Sequence, residues 1–314
     1  MPVRDDWSSA SELVRRVDEA VSTRGCLIDI LMVDDGSLTR CDAAGFQSRF
    51  SVIRAIRVLR LRRNLGHQRA IAIGLAYLQQ SGQYDAVMVM DSDGEDTPEG
   101  VVDLLNAYAQ NQPAKAVFAA RSRRSESLVF RFFYHLYRFV HHALTGVRVR
   151  VGNFSILPFA YLRTLAAMSE LWNHYAAAVF RSGLSYTMVP IPRGRRIAGS
   201  SRMNFAGLVA HGLSAISVFG DILGVRLLIG SLACSLLAAL GIIIVAIIRL
   251  FTNLAIPGWA TAATGALAII MIQFITIAGS FTFFVLFSRT NLGFVPLRDY
   301  SLFVDEVVDI YCHG

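Results

Sequence analysis

Residues 86–100 read Ala-Val-Met-Val-Met-Asp-Ser-Asp-Gly-Glu-Asp-Thr-Pro-Glu-Gly. Ala86 to Met90 is an apolar run of strand length. Asp91, Asp93, Glu95 and Asp96 then place four carboxylates at its carboxyl end. Thr97-Pro98-Glu99 supplies a capping threonine, a first-turn proline and an acid, which predicts a helix over Pro98 to Ala109. Strand, acidic loop and capped helix in succession are the building step of a βαβ fold.

The same step recurs on both sides. Leu27 to Val33 is an apolar run ending in Asp34-Asp35-Gly36-Ser37, Ile53 to Leu59 is a second, and Ala116 to Ala120 lies beyond the acidic loop. Gln68 to Gln80 has helical spacing. This rhythm predicts an α/β fold with a Rossmann-like, mostly parallel sheet. In such sheets ligands bind beyond the carboxyl ends of the strands, where both acidic clusters fall. Four carboxylates in six residues repel one another, and a hard divalent cation is their natural neutraliser. Mg²⁺ or Mn²⁺ carrying a nucleotide diphosphate suits such a site. An acidic turn that caps a helix is the plainer reading of the same residues.

The composition points to lipid. Of 314 residues 54% are hydrophobic and only 17% charged, with a mean hydropathy of +0.47, which excludes an ordinary pair of soluble domains. Leu227 to Ile248 and Leu254 to Phe287 contain no Asp, Glu, Lys or Arg. The first matches one bilayer crossing, and the second must hold a turn, best placed at Pro257-Gly258. A hairpin of two transmembrane helices, about 226–249 and 261–287, follows. Arg226 on one side and Arg289 and Arg298 on the other flank one membrane face, while Arg249 borders the short loop, so the positive-inside bias puts both termini in the cytoplasm at the inner membrane. A buried helical pair in a soluble protein is the competing reading. No apolar run of signal-peptide length stands near Met1. Cys26, Cys41, Cys234 and Cys312 have neither zinc-site nor disulfide-framework spacing.

The net charge of +7 lies within the first 224 residues. Lys115 is the only lysine, so the excess is guanidinium, suited to bidentate contact with phosphate or to a membrane surface. Arg54, Arg57, Arg60, Arg62 and Arg63 read as a solvated or lipid-facing basic surface. Residues 127–145 interleave aromatics with Arg131, His135, Arg138, His141 and His142, as in a helix lying in the bilayer interface; 205–219 could form another. Nucleic acid is a poor partner for basic residues that adjoin membrane helices.

Taken in order, Val33-Asp34-Asp35-Gly36-Ser37, Asn64-Leu65-Gly66-His67-Gln68 with Ala70 and Gly74, Asp91 to Glu99, Arg121 to Ser127, Gly152-Asn153-Phe154 and Arg196 to Arg202 resemble the GT-A fold, family 2 glycosyltransferases. With the terminal hairpin, they resemble the polyprenyl-phosphate branch of that family, the dolichol-phosphate mannosyltransferase and GtrB-like enzymes. The resemblance implies transfer of one sugar, with inversion, from a UDP- or GDP-sugar to a polyprenyl phosphate in the cell envelope. It implies that Asp35, with Asp34 as second choice, contacts the nucleoside, Asp91 the nucleotide or donor, and Asp93 and Glu95 a metal. Arg121 and Arg196 join Asp91 and Asp93 as catalytic candidates; Arg121, Arg124, Arg131, Ser201 and Arg202 receive the lipid phosphate. A homo-oligomer is possible by the same analogy. Trp172-Asn173-His174 stands either by the sugar or acceptor or in the core.

The resemblance divides the chain into a glycosyltransferase domain over 1–200, a juxtamembrane helix over 201–224, the hairpin over 225–289 and a cytoplasmic tail over 290–314. The family opens with a central strand ending in Pro-x-Tyr-Asn-Glu. Here Met1-Pro2-Val3-Arg4-Asp5 lacks that strand's body, and a true start upstream of the assigned one is the favoured explanation. Glu95 replaces a common glutamine, Asn153 stands where some members carry Asp, and Arg202 replaces a lysine. A processive polysaccharide synthase would need a QxxRW-type motif, and Trp7, Trp172 and Trp259 supply none. The remaining alternative is a catalytically silent membrane scaffold descended from such enzymes.

Overall fold

The second strand anchors the architecture. In a computed structural model, which describes residues 1–46, 49–111, 115–121, 146, 151–198, 205–252, 256–290 and 293–312, two units are separable. One comprises Met1–His135, Arg148–Val218 and Gly293–Gly314, the other Leu136–Val147 and Phe219–Leu292.

The first unit runs β1 (Pro2–Val3), α1 (Trp7–Val21), β2 (Ile28–Asp34), β3 (Ile53–Leu61), α2 (His67–Ser81), β4 (Ala86–Val89), α3 (Pro98–Gln110) and β5 (Ala116–Arg121). β6 (Val151–Pro158), α4 (Tyr161–Leu165), α5 (Tyr175–Arg181), β7 (Tyr186–Ile191) and α6 (Phe205–Ser217) follow. The α/β alternation expected from the sequence is present, with the four strands and two helices expected between Leu27 and Ala120 within two residues of their expected ends. β1, β2 and β3 are parallel and β8 (Val304–Cys312) closes that sheet antiparallel to β3. A second sheet has the order β4-β6-β5-β7.

β1 is a two-residue strand. Pro2 and Val3 pair with Val33 and Asp34 of β2, and on the β4 side the Pro2 carbonyl accepts from Ser92 Oγ at 2.9 Å. A proline has no N–H to give a neighbouring strand, so β1 makes a ladder on one side only and the sheet divides there. The core explains the spacing of α2: Ala70, Ala72, Ile73 and Ala76 are fully buried. A Cβ on Gly74 would lie 2.8 Å from Val33 Cγ2, so the glycine lets α2 rest directly on β2.

Residues 290–314, expected as a tail, hold a short helix α9 (Pro296–Asp299) and β8. Leu297 N–H donates to Ala166 O at 2.8 Å and Gln80 Nε2 to Leu297 O at 3.0 Å. β8 then pairs from Val304 with Leu61 to Cys312 with Ala55. The arginine run expected as a solvated or lipid-facing basic surface is exposed at Arg54, Arg62 and Arg63, and three of its members have acidic partners. Arg54 is bidentate on Asp29 at 2.9 and 2.6 Å, Arg57 lies between Asp29 and Asp309, and Arg60 between Asp34 and Glu306. The acids on β2 and β8 neutralise β3.

The second unit contains α7 (Gly220–Phe251) and α8 (Trp259–Thr290), joined through Pro257 and Gly258. Gly258 has φ +84°, a left-handed turn that glycine adopts without steric cost. Both helices are long and apolar enough to cross a membrane, with only 17% and 6% of their most apolar windows buried. Leu236, Leu250 and Phe283 are each at least 70% exposed, unlike the side chains of a buried core helix in a soluble domain. Gly224 against Val285 and Gly241 against Leu267 let the helix backbones approach closely.

Candidate active site

The strand ends converge on two loops. At the end of β2, Asp34 Oδ1 accepts from Ser37 N–H at 2.8 Å and Oδ2 faces Arg60 Nε at 3.4 Å. Asp35 is spent on its neighbour: it accepts from Leu65 N–H at 2.7 Å and Gly66 N–H at 3.0 Å. Burial pushes the Asp35 carboxyl above the usual range, against the pull of those two N–H groups. Gly36 has φ +66°, and a Cβ there would meet Asn64 N at 2.5 Å. Asp34-Asp35-Gly36-Ser37 and Asn64-Leu65-Gly66 are therefore one interlocked surface. Asp34, Ser37, Arg60, Arg62, Arg63 and Asp305 line a cavity of about 680 Å³ beside it. Asp5, at φ +50°, accepts from Leu38 N–H at 2.7 Å and holds the far side of this loop.

The loop after β4 is neutralised from outside. Asp96 accepts from Asp91 N–H at 2.8 Å and Thr97 Oγ1 from Gly100 N–H at 3.1 Å, so Asp96 and Thr97 serve the turn and the helix cap. The other three acids meet partners from distant segments. Asp93 Oδ2 receives Arg196 Nε at 2.9 Å and Nη2 at 2.7 Å, Glu95 pairs with Arg193, and Asp91 Oδ1 lies 3.1 Å from His67 Nε2. Gly194 N–H donates to Glu95 O and Ile197 N–H to Asp93 O, both at 2.9 Å. The segment after β7 is thus stitched along the acidic loop. Burial lowers the His67 pKa, and the Asp91 carboxylate outweighs it, so the imidazole titrates above its ordinary value.

A purely local turn accounts for Asp96 and leaves the distant cationic partners of Asp93 and Glu95 unexplained. The family model for glycosyl transferase family 2 matches residues 1–165. The chain belongs to glycosyl transferase family 2. This glycosyltransferase is similar to the uncharacterized glycosyltransferase YkcC of Bacillus subtilis (strain 168), 23% identical over 83% of the chain and 80% of that protein. It is also similar to the uncharacterized glycosyltransferase sll0501 of Synechocystis, 25% identical over 88% of the chain and 86% of that protein. The undecaprenyl-phosphate 4-deoxy-4-formamido-L-arabinose transferase of Klebsiella pneumoniae (strain 342) is 24% identical over 71% of the chain and 70% of its own length.

Of the sequence-derived candidates, the fold brings Asp91, Asp93, Glu95 and Arg196 of the glycosyltransferase together. Asp34 and Asp35 stand at the end of β2, and Arg121 ends β5 in register with Ile191 of β7, two residues before Arg193. Arg124, Arg131, Ser201 and Arg202, and the helix expected over 127–145, lie outside the described residues. Trp172 packs 3.8 Å from Phe294, ring centre to ring centre, and His174 Nδ1 accepts from Ala177 N–H at the start of α5, so both have packing roles. Arg193 was not singled out from the sequence, since nothing in Pro192-Arg193-Gly194-Arg195-Arg196 distinguishes one arginine from the next.

The donor chemistry of the loop suits a hard cation, because Asp93 and Glu95 offer carboxylate oxygens. Among the described residues no three such groups converge as a preformed cage, and both carboxylates are held by guanidinium. Gly194→Ala tests that contact: the added Cβ would lie 2.7 Å from Gly94 O and 2.5 Å from Thr97 Cγ2. The loop must lift, and kcat/KM is expected to fall about tenfold to a hundredfold with little change in melting temperature, measured by steady-state kinetics beside thermal unfolding.

Proposed function

We propose that this glycosyltransferase moves one sugar, with inversion, from a UDP- or GDP-sugar to a polyprenyl phosphate. The observation that carries the reading is the acidic loop Asp91 to Asp96 gripped by Arg193 and Arg196 at the carboxyl end of β4, on a chain with two membrane-length helices. Relatives named for undecaprenyl phosphate support the acceptor.

The acceptor is a phosphate monoester, already anionic at neutral pH because its second pKa is about 6, so no strong base is needed. The barrier lies in the departing diphosphate. Asp93 and Glu95 would hold Mg²⁺ or Mn²⁺, which when bound offsets the charge growing on that leaving group. Arg196, and with it Arg193, would exchange their carboxylate partners for the diphosphate oxygens, a bidentate geometry guanidinium serves well. Asp91 would orient the donor, and Asp34 would contact the nucleoside from the cavity it lines, with Asp35 holding the Asn64-Leu65-Gly66 loop in place behind it. Arg121, Arg124, Arg131, Ser201 and Arg202 would receive the lipid phosphate. α7 and α8 would cross the inner membrane with the catalytic unit and both termini in the cytoplasm, and a homo-oligomer is compatible with this arrangement.

The test is sugar transfer in membranes containing the full chain, with Mn²⁺, a panel of UDP- and GDP-sugars and a polyprenyl phosphate. A lipid-linked monosaccharide from one donor is expected. Donor hydrolysis without a lipid product, or no turnover of any donor, would overturn the proposal.

A further inference from the structure

A backbone N–H is a donor whose sense cannot be reversed, and one such group sets the polarity of a buried chain leading to His67. Tyr175 N–H, in the first turn of α5, donates to Gln68 Oε1 at 2.8 Å. Gln68 Nε2 therefore faces away from Tyr175, toward Asn153 Oδ1 at 3.1 Å. That contact in turn directs Asn153 Nδ2 at His67 Nε2, 3.0 Å away. Gln68 and Asn153 are 9% and 8% exposed, so bulk water does not compete to turn either amide over. Four elements take part: α5 supplies the fixed donor, α2 and β6 carry it, and the imidazole stands against Asp91 after β4.

His67 Nε2 is also 3.1 Å from Asp91 Oδ1. One ring nitrogen cannot accept from Asn153 and donate to Asp91 in the same state. The carboxylate draws a proton onto Nε2, while the Asn153 amide opposes one there. We propose that Gln68 is a positioning residue of the transfer reaction: through Asn153 it biases the neutral His67 ring toward the tautomer whose Nε2 is a hydrogen-bond acceptor, so that the neutral ring does not donate to Asp91, whose carboxylate serves the sugar donor. The role of Asp91 in this inference rests on the proposed function; the polarity of the chain does not.

Two substitutions reverse the polarity by different routes. In Gln68→Glu one carboxylate oxygen still accepts from Tyr175 N–H, and the other calls for the Asn153 amino group, which turns the Asn153 oxygen toward His67. In Asn153→Asp, Gln68 is untouched and an oxygen faces His67 directly. Gln68→Met removes the relay without reversing it.

The experiment is ¹⁵N NMR of histidine-labelled full-length chain in lipid nanodiscs at alkaline pH, where the rings are neutral, with His67→Gln to assign the signal. In the wild type His67 Nε2 is expected to be unprotonated. In both reversing variants the proton is expected on Nε2, with KM for the nucleotide sugar raised about tenfold, acceptor KM unchanged, and Gln68→Met intermediate. A wild-type His67 protonated at Nε2 would overturn the inference. So would reversing variants that lose melting temperature and all kinetic constants together while the tautomer stays put. If no donor is turned over at all, the proposed function fails and the NMR result alone decides the relay.

Discussion

Asp93→Ala is expected to lower sugar transfer by at least about a thousandfold, roughly 4 kcal/mol of transition-state stabilisation, with the unit still folded. Asp93 is the acid on which most of the site converges. One oxygen receives Glu95 N–H at 2.9 Å and shapes the turn, the other takes both Arg196 contacts, and its carbonyl holds Ile197. Removing the side chain deletes a ligand for the cation and releases the arginine at once. Asp93→Asn separates the two roles, because the amide oxygen can still accept from Glu95 N–H while the charge is gone. Both variants are expected to lose activity together, with Asn retaining the wild-type circular dichroism and melting temperature. The check is initial-rate transfer across a Mn²⁺ titration. Full activity in Asp93→Asn would show that shape rather than charge matters here, and would remove the acidic loop from the mechanism.

That site was legible in the sequence to an uneven degree. Local patterns did well: Ala86–Val89, the Thr97 cap and the charge-free runs of α7 and α8 depend on neighbours within a few residues, and period, capping and composition encode them. Partnerships across the chain did not. β8 reads Val-Asp-Glu-Val-Val-Asp-Ile-Tyr-Cys, a short alternation just after a membrane-length helix, and only its pairing with β3, some 250 residues earlier in the chain, makes it a strand. The acidic partners of Arg54, Arg57 and Arg60 were hidden for the same reason, since the register of β3 with Asp29 and Asp34 of β2 and with Glu306 and Asp309 of β8 is a property of the sheet. Asp34 and Asp35, adjacent and chemically alike, differ because one lines a cavity and the other caps a loop. His67, Gln68 and Asn153 lay inside motifs quoted from the sequence, yet the relay they form depends on a backbone N–H of α5. Arg193 carried no mark of its own among the three arginines of residues 192–196, and its role came from Glu95.

Asp18→Ala is expected to destabilise the first unit by about 3–5 kcal/mol, a large part of a typical total stability of about 5–15 kcal/mol. Asp18 lies on the buried face of α1, 5% exposed. Its Oδ2 accepts from Ser51 N–H at 2.8 Å, and its Oδ1 from Val52 N–H at 2.9 Å and Ile53 N–H at 3.1 Å. These three donors lead into β3, the strand whose far end presents Arg60 and the Asn64-Leu65-Gly66 loop. Ser51 is exposed and can turn to water, but Val52 and Ile53 are 7% and 1% exposed. Alanine leaves both of their N–H groups buried without an acceptor, at about 1–3 kcal/mol each. For a unit of this size the melting temperature falls by about 2–4 °C per kcal/mol, so a drop of about 10 °C is expected by thermal unfolding in detergent. Asp18→Asn keeps one oxygen for Val52 and Ile53 and turns its amino group on Ser51, the position water can serve, so it should cost less than half as much. Equal losses in the two variants would mean that charge, rather than the count of satisfied donors, holds α1 to the start of β3. A drop under about 2 °C for alanine would mean that neither does, and that β3 owes its place to β2 and β8 alone.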